Sequence, residues 1–104
     1  MNLTNQGIRV SPQTVRSGEL VRLNYNGLLA QSGADQVYLH TGYGDSWQYV
    51  SDLAMQRTAD GWQKVFPVEH PGSLCFCFKD SANNWDNNNG QNWNIPIEGS
   101  QFTR

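Results

Sequence analysis

The chain has 104 residues, room for one small domain, with 38% apolar and 15% charged residues. Nine acidic residues against seven basic ones leave a net charge of −2, and without a basic stripe no nucleic-acid partner is expected. No apolar run reaches the length of a membrane span, so no membrane partner is expected either. Amide side chains take the place of charge: there are eleven Asn and nine Gln.

In chain order, the first six residues, Met-Asn-Leu-Thr-Asn-Gln, have neither a basic start nor an apolar core, so no signal peptide is expected. Gly7–Val10 reads as a short edge strand stopped by Pro12. Leu20–Tyr25 alternates with period two and is predicted to be half buried, with Val21, Leu23 and Tyr25 on one face. Asn26-Gly27 signals a turn, and Leu28-Leu29-Ala30 is too short for a helix and reads as an apolar plug in a loop. Gln36–Thr41 is the next strand, placing Val37 and Leu39 on one face and Tyr38 and His40 on the other. Gly42–Ser46 reads as a loop, with extended structure resuming at Trp47–Val50 and again around Ala54–Arg57.

Asp60-Gly61 closes a hairpin into Trp62–Val68, where Trp62 is expected in the core or on the sheet face. Ser73–Lys79 turns Leu74, Phe76 and Phe78 inward and Cys75, Cys77 and Lys79 to the other face. A short last strand follows near Ile95–Ile97. About seven short strands separated by turn signals every eight to twelve residues predict an all-β, antiparallel β-sandwich of immunoglobulin-like architecture. It forms a single domain over residues 1–104.

Between the last two strands lies Ser81–Trp93, in which seven of thirteen residues are Asn or Gln and two are Trp. Such a stretch cannot be a core strand, because Asn side chains compete for the backbone. A flat indole beside carboxamides suits a sugar, whose C–H face stacks on rings and whose hydroxyls want paired donors and acceptors. Trp85 can point outward or pin the loop, and so can Trp93. His40, Trp47 and Trp85 can meet in a shallow aromatic surface outside the core. If the rings are splayed the surface suits a curved chain, and if coplanar a flat one.

Other chemistries find less support. Asp80 and Asp86 could be paired carboxylates for glycoside hydrolysis, but a chain this short builds no cleft, and Asp in such turns usually caps. Nothing in the spacing singles out a Ser-His-Asp triad, so no catalytic residue is expected. Asp86–Gly90 has oxygen ligands in series, but its Gly comes one position early for a calcium loop. Cys75 and Cys77 stand too far apart on a strand for a disulfide, which predicts free thiols, and with His40 and His70 they make no zinc set. Neither a metal nor a cofactor is expected.

Several motifs occur together: Val-Tyr-Leu-His-Thr-Gly at 37–42, Trp47, Met55, Trp62, and Phe-Cys-Phe-Lys-Asp before Asn-Trp-Asp-Asn-Asn-Asn-Gly. This combination resembles carbohydrate-binding module family 25, and the related family 53 modules of plant starch synthases are similar. The resemblance covers roughly residues 20–97. It implies a non-catalytic module that binds starch, glycogen or malto-oligosaccharides. It further implies that His40 lines a sugar platform, that Trp47 and Trp85 stack on sugar, and that Asn87 and Asn88 bond glucose hydroxyls. Lys79 or Asp80 would assist or brace the loop. Family members usually sit beside an amylase or synthase domain, which makes a separate amylolytic or glycogen-metabolising enzyme a second expected partner. The alternative reading is a protein-interaction sandwich with an exposed aromatic patch. Unpaired thiols and no visible signal peptide favour the cytoplasm, while a module cut from a secreted amylase would look much the same.

Overall fold

The structure is a computed structural model that describes residues 2–3 and 6–99. Residues 1, 4 and 5 of the N-terminal stretch in which no signal peptide is expected, and the tail after Gly99, lie outside the described residues. The described chain forms a β-sandwich. One sheet runs β1(Asn2–Leu3), β2(Ile8–Ser11), β4(Leu20–Tyr25), β8(Gly61–Pro67), β7(Gln56–Thr58). The other runs β3(Val15–Arg16), β11(Trp93–Glu98), β9(Gly72–Asp80), β5(Val37–Tyr43), β6(Gln48–Ala54), with β10(Trp85–Asp86) also paired to β9. All pairings are antiparallel except that of β3 with β11.

The core follows the alternation. Val21, Leu23 and Tyr25 from β4 face Val37 and Leu39 from β5 and Leu74, Phe76 and Phe78 from β9, all essentially buried. On β8 it is Phe66 and not Val65 that enters the core, and Trp62 is buried as expected. Arg57 lies 4.9 Å over the Trp62 ring. Met55 is buried where the chain passes from one sheet to the other, its amide bonded to Val37 O at 3.0 Å.

Two local expectations are corrected. The plug at 28–30 is a four-residue helix, α1(Leu28–Gln31). Such a helix does not stand alone in water; here Leu29 is buried and its N–H donates to the Tyr25 hydroxyl at 3.0 Å. Strand β5 also runs on through Gly42 to Tyr43 where a loop is predicted. No described helix is long and apolar enough to cross a membrane.

The way β9 is paired places the Asn-rich stretch. β11 pairs with β9 from Gly72 to Phe76, and β10 pairs with Phe78 and Lys79 on the same strand. β5 occupies the other edge of β9 over the same residues. β10 and β11 are therefore one strand row interrupted by an excursion over residues 87–92. The excursion leaves the sheet where Trp85 stands.

Candidate functional site

Alternation on β5 turns Tyr38, His40 and Gly42 away from the core. Across from them on β9 stand Lys79, Cys77 and Cys75, and beyond Lys79 on β10 stands Trp85. This outer face carries the rings. His40 stacks on Trp47 with centroids 5.4 Å apart and planes inclined by 27°. It meets Trp85 edge-on at 5.2 Å and 86°. The imidazole is the hinge between two indoles whose planes are steeply inclined, so the rings are splayed. Trp85 remains 43% exposed.

Each ring is seated by a local device. Trp47 lies over Gly42: a Cβ built on Gly42 would stand 2.4 Å from Trp47 Cε3. The register of β5 with β6 shifts between Thr41 and Tyr43, a bulge that re-aims the hairpin around that glycine. Trp47 itself has a left-handed backbone, φ +54, a rare conformation for a bulky residue that its surroundings must hold. Trp85 is held by pairing with Lys79, whose ammonium sits 5.4 Å over the indole. His40 is held by Asp52, its cross-strand partner on β6: Nδ1 donates to Oδ1 at 2.5 Å. Since the carboxylate accepts only, Nδ1 carries the proton and Nε2 is the nitrogen left unbonded among the described residues.

Asp52 also takes Lys79 Nζ on Oδ2 at 3.0 Å, so one carboxylate orients both polar members of the platform. Partial desolvation pushes the Asp52 carboxyl up, but hydrogen bonds from His40 and Lys79 and their charges outweigh it, and the net direction is downward. Sequence reading missed Asp52. Its only signal is its position opposite His40, which needs the hairpin register.

The remaining sequence-picked residues separate. Asp80 does not face the rings: it accepts from Ala82 N, Asn84 N and Asn84 Nδ2 at 3.0, 2.8 and 3.0 Å and so braces the turn into β10. Asn87 Oδ1 accepts from Gly90 N at 2.9 Å within the excursion. Asn88 donates from Nδ2 to Asn92 O at 3.0 Å and accepts from Gln6 Nε2 at 3.3 Å. Asn88 thus points to a separate polar hollow of about 1000 Å³, shared with Gln6, Asn24, Tyr25, Asn26 and Asp86. The hollow is roomy, but its one indole, Trp93, is buried. It offers no exposed ring face, whereas the platform offers the exposed Trp85 beside Trp47, which is half buried against the core. Trp93 packs on Phe76 and Phe78 and bonds Gln6 through Nε1, so it pins the loop.

Much of the amide richness is conformational. Asn83, Asn88, Asn89 and Asn92 have φ between +55 and +64, and Gly90 has φ +87. Asn is the residue that tolerates that region after Gly.

The site is poorly equipped for catalysis. Asp86 is engaged by the Tyr25 hydroxyl and Asp80 by its own turn. The nearest nucleophile candidate, Cys77 beside His40, is buried, which pushes its thiol up to about 11, with Asp52 adding to the shift. It therefore stays protonated. Both cysteines are free and, contrary to their outward register, nearly covered. Among the described residues no three His, Cys, Asp or Glu side chains converge as a metal site.

A β-sandwich that fixes a hinge of rings on its outer face has the build of a carbohydrate-binding module. The sequence model of the starch/carbohydrate-binding module (family 53) matches residues 21–74, and the chain belongs to that family. The match is thus to the second of the two families the sequence resembles, and family 25 is not the one it names. The matched stretch contains His40 and Trp47 and ends before Lys79 and Trp85. The chain is also similar to an α-amylase of Clostridium acetobutylicum, 36% identical over an alignment of 94 residues that covers 86% of this chain and 12% of that protein. It thus spans a small part of that relative's length. No solved structure gives a significant match.

Proposed function

We propose that the chain is a non-catalytic module that holds α-glucans, whether starch, glycogen or malto-oligosaccharides, on the His40–Trp47–Trp85 platform. The observation that carries the reading is the splay of the two indoles about His40. Inclined rings follow the curved outline of an α-linked chain, and coplanar rings would follow a flat one. Each ring adds about 0.5–1.5 kcal/mol beyond area burial, by analogy with aromatic pairs. Two rings with a few hydrogen bonds, accepted by His40 Nε2 and donated by Lys79, give affinities from roughly micromolar to millimolar. The similarity to an α-amylase supports a role beside an amylolytic enzyme, keeping it on its polymer.

The test is titration of maltoheptaose against tryptophan fluorescence, with cellohexaose as the linkage control. Maltoheptaose is expected to saturate and cellohexaose to give no change. Trp85→Ala is expected to lose retention in a native gel containing soluble starch while keeping its fold. A Trp85→Ala protein retained like the wild type would overturn the assignment.

A further inference from the structure

The β5–β6 hairpin carries a second set of rings that the platform does not use. Tyr49 stacks on His70 with centroids 4.1 Å apart and planes 6° apart. Tyr43 meets both edge-on, at 4.8 Å from His70 and 6.4 Å from Tyr49. The Tyr43 hydroxyl accepts Glu69 N at 3.2 Å, which ties this ring to the turn that carries His70. The cluster thus joins the hairpin to the β8–β9 connection.

Tyr49 is 63% exposed although its ring is fixed. Stacking on His70 covers one face of the phenol and leaves the other to solvent. Its backbone is left-handed, φ +56. Trp47 is the other non-glycine residue of the hairpin with such a backbone, and there the strain serves to present a ring. At Tyr49 the same strain serves no core contact, and strain of this kind persists where it presents a side chain. A ring already immobilised by two neighbours loses little freedom when a ligand stacks on it. The chemistry is that of a neutral ligand with an apolar face and hydroxyls: a phenol face, a phenolic hydroxyl and an imidazole, with no Lys or Arg among the three.

His40 points outward on β5, whereas Tyr43 has the inward parity of Val37, Leu39 and Thr41 and packs against the core. Tyr43 lies three residues beyond His40, about 10 Å along the strand. The second set of rings sits around the end of the strand pair.

We propose that Tyr49, braced by His70 and Tyr43, is a second α-glucan stacking point that engages a separate stretch of polymer. This rests on the α-glucan reading of the platform. A short oligosaccharide then reports the platform alone, while a polymer engages both points and gains avidity.

The experiment compares wild type, Tyr49→Ala and Tyr49→Phe in two assays, with circular dichroism to check the fold. Maltoheptaose titrated against tryptophan fluorescence is expected to give the same affinity in all three. Retention by soluble starch in native gels is expected to fall severalfold in Tyr49→Ala and to recover in Tyr49→Phe. Equal starch retention in Tyr49→Ala and wild type, with the fluorescence response intact, overturns the second point and leaves the platform standing. Loss of the fluorescence response in folded Tyr49→Ala also overturns it, because Tyr49 would then belong to the platform. A wild type that responds to neither ligand overturns the α-glucan reading itself, and this proposal with it.

Discussion

The Tyr25 hydroxyl donates to Asp86 Oδ2 across 2.6 Å while accepting the Leu29 amide at 3.0 Å. The ring below stacks on Phe78 at 3.8 Å. One buried side chain therefore ties the core, α1 and the strand that carries Trp85. Burial, followed by the bond to Asp86, pushes the phenol well above its ordinary range, so it is always protonated and always the donor. Tyr25→Phe keeps the stack and strips the buried Leu29 N–H of its acceptor. A loss of about 1–3 kcal/mol in urea unfolding is expected. Maltoheptaose affinity should fall with it, because Asp86 adjoins Trp85. An unchanged unfolding midpoint would show that the hydroxyl holds nothing.

Asp52 holds the platform's polar groups from an exposed edge strand, so its effect should fall on binding. Ion pairs at such exposure contribute about 0–1 kcal/mol to folding. Asp52→Asn weakens the hold on His40 and Lys79 together and releases the tautomer of His40. Maltoheptaose affinity is expected to drop by up to about tenfold, about 1.4 kcal/mol, with the thermal midpoint nearly unchanged. A midpoint that falls while affinity stays constant would assign Asp52 to the fold instead.

The sandwich was legible because alternation is a strong signal on β4, β5, β8 and β9. The outward placing of His40 and the inward placing of Phe76 and Phe78 follow from the same period. What was not legible depends on contacts between distant residues. Helix α1 has no periodicity in four residues and exists because Tyr25 and the core accept Leu29. Asp52 lies on a strand exposed along nearly its whole length, where nothing but the register marks one residue from the next. The Asn-rich excursion suggests ligand chemistry, and Asn83, Asn88, Asn89 and Asn92 also supply left-handed backbone, a use that composition cannot tell apart from sugar contact. Trp85 and Trp93 flank the same excursion, and only the pairing of β10 and β11 with β9 shows that one faces out and the other in.

Asp80 sets an acid limit on that excursion. Hydrogen bonds from the Asn84 side chain and amide, with that of Ala82, outweigh desolvation and hold its carboxyl below the usual carboxylate range. A carboxylate depressed in the folded state stabilises fully above its unfolded value, about 3.9, and loses that contribution as pH falls through the folded value. Stability attributable to Asp80 is thus level from pH 7 to about 5 and declines below about 4. Asp80→Asn should lower the unfolding midpoint at pH 7 and flatten the decline between pH 4 and 3. A variant that loses stability in parallel with wild type over that interval would place the acid sensitivity elsewhere.

Gly42 decides whether Trp47 can stack on His40 at all. A Cβ there would meet Trp47 Cε3 at 2.4 Å, Cδ2 at 2.9 Å and the Trp47 Cα at 3.1 Å. A rotation of the ring would relieve the first two contacts but not the third, so the hairpin backbone has to move. The φ of Gly42 is not in the left-handed region, so alanine is not refused by its own backbone. The sheet below is paired through β9 and should stay folded. Gly42→Ala is therefore expected to weaken maltoheptaose binding as much as Trp47→Ala, with circular dichroism little changed. The two substitutions act on one contact, so the double variant should bind no more weakly than either single one. Additive losses in that cycle would mean that the glycine serves something other than the seat of Trp47.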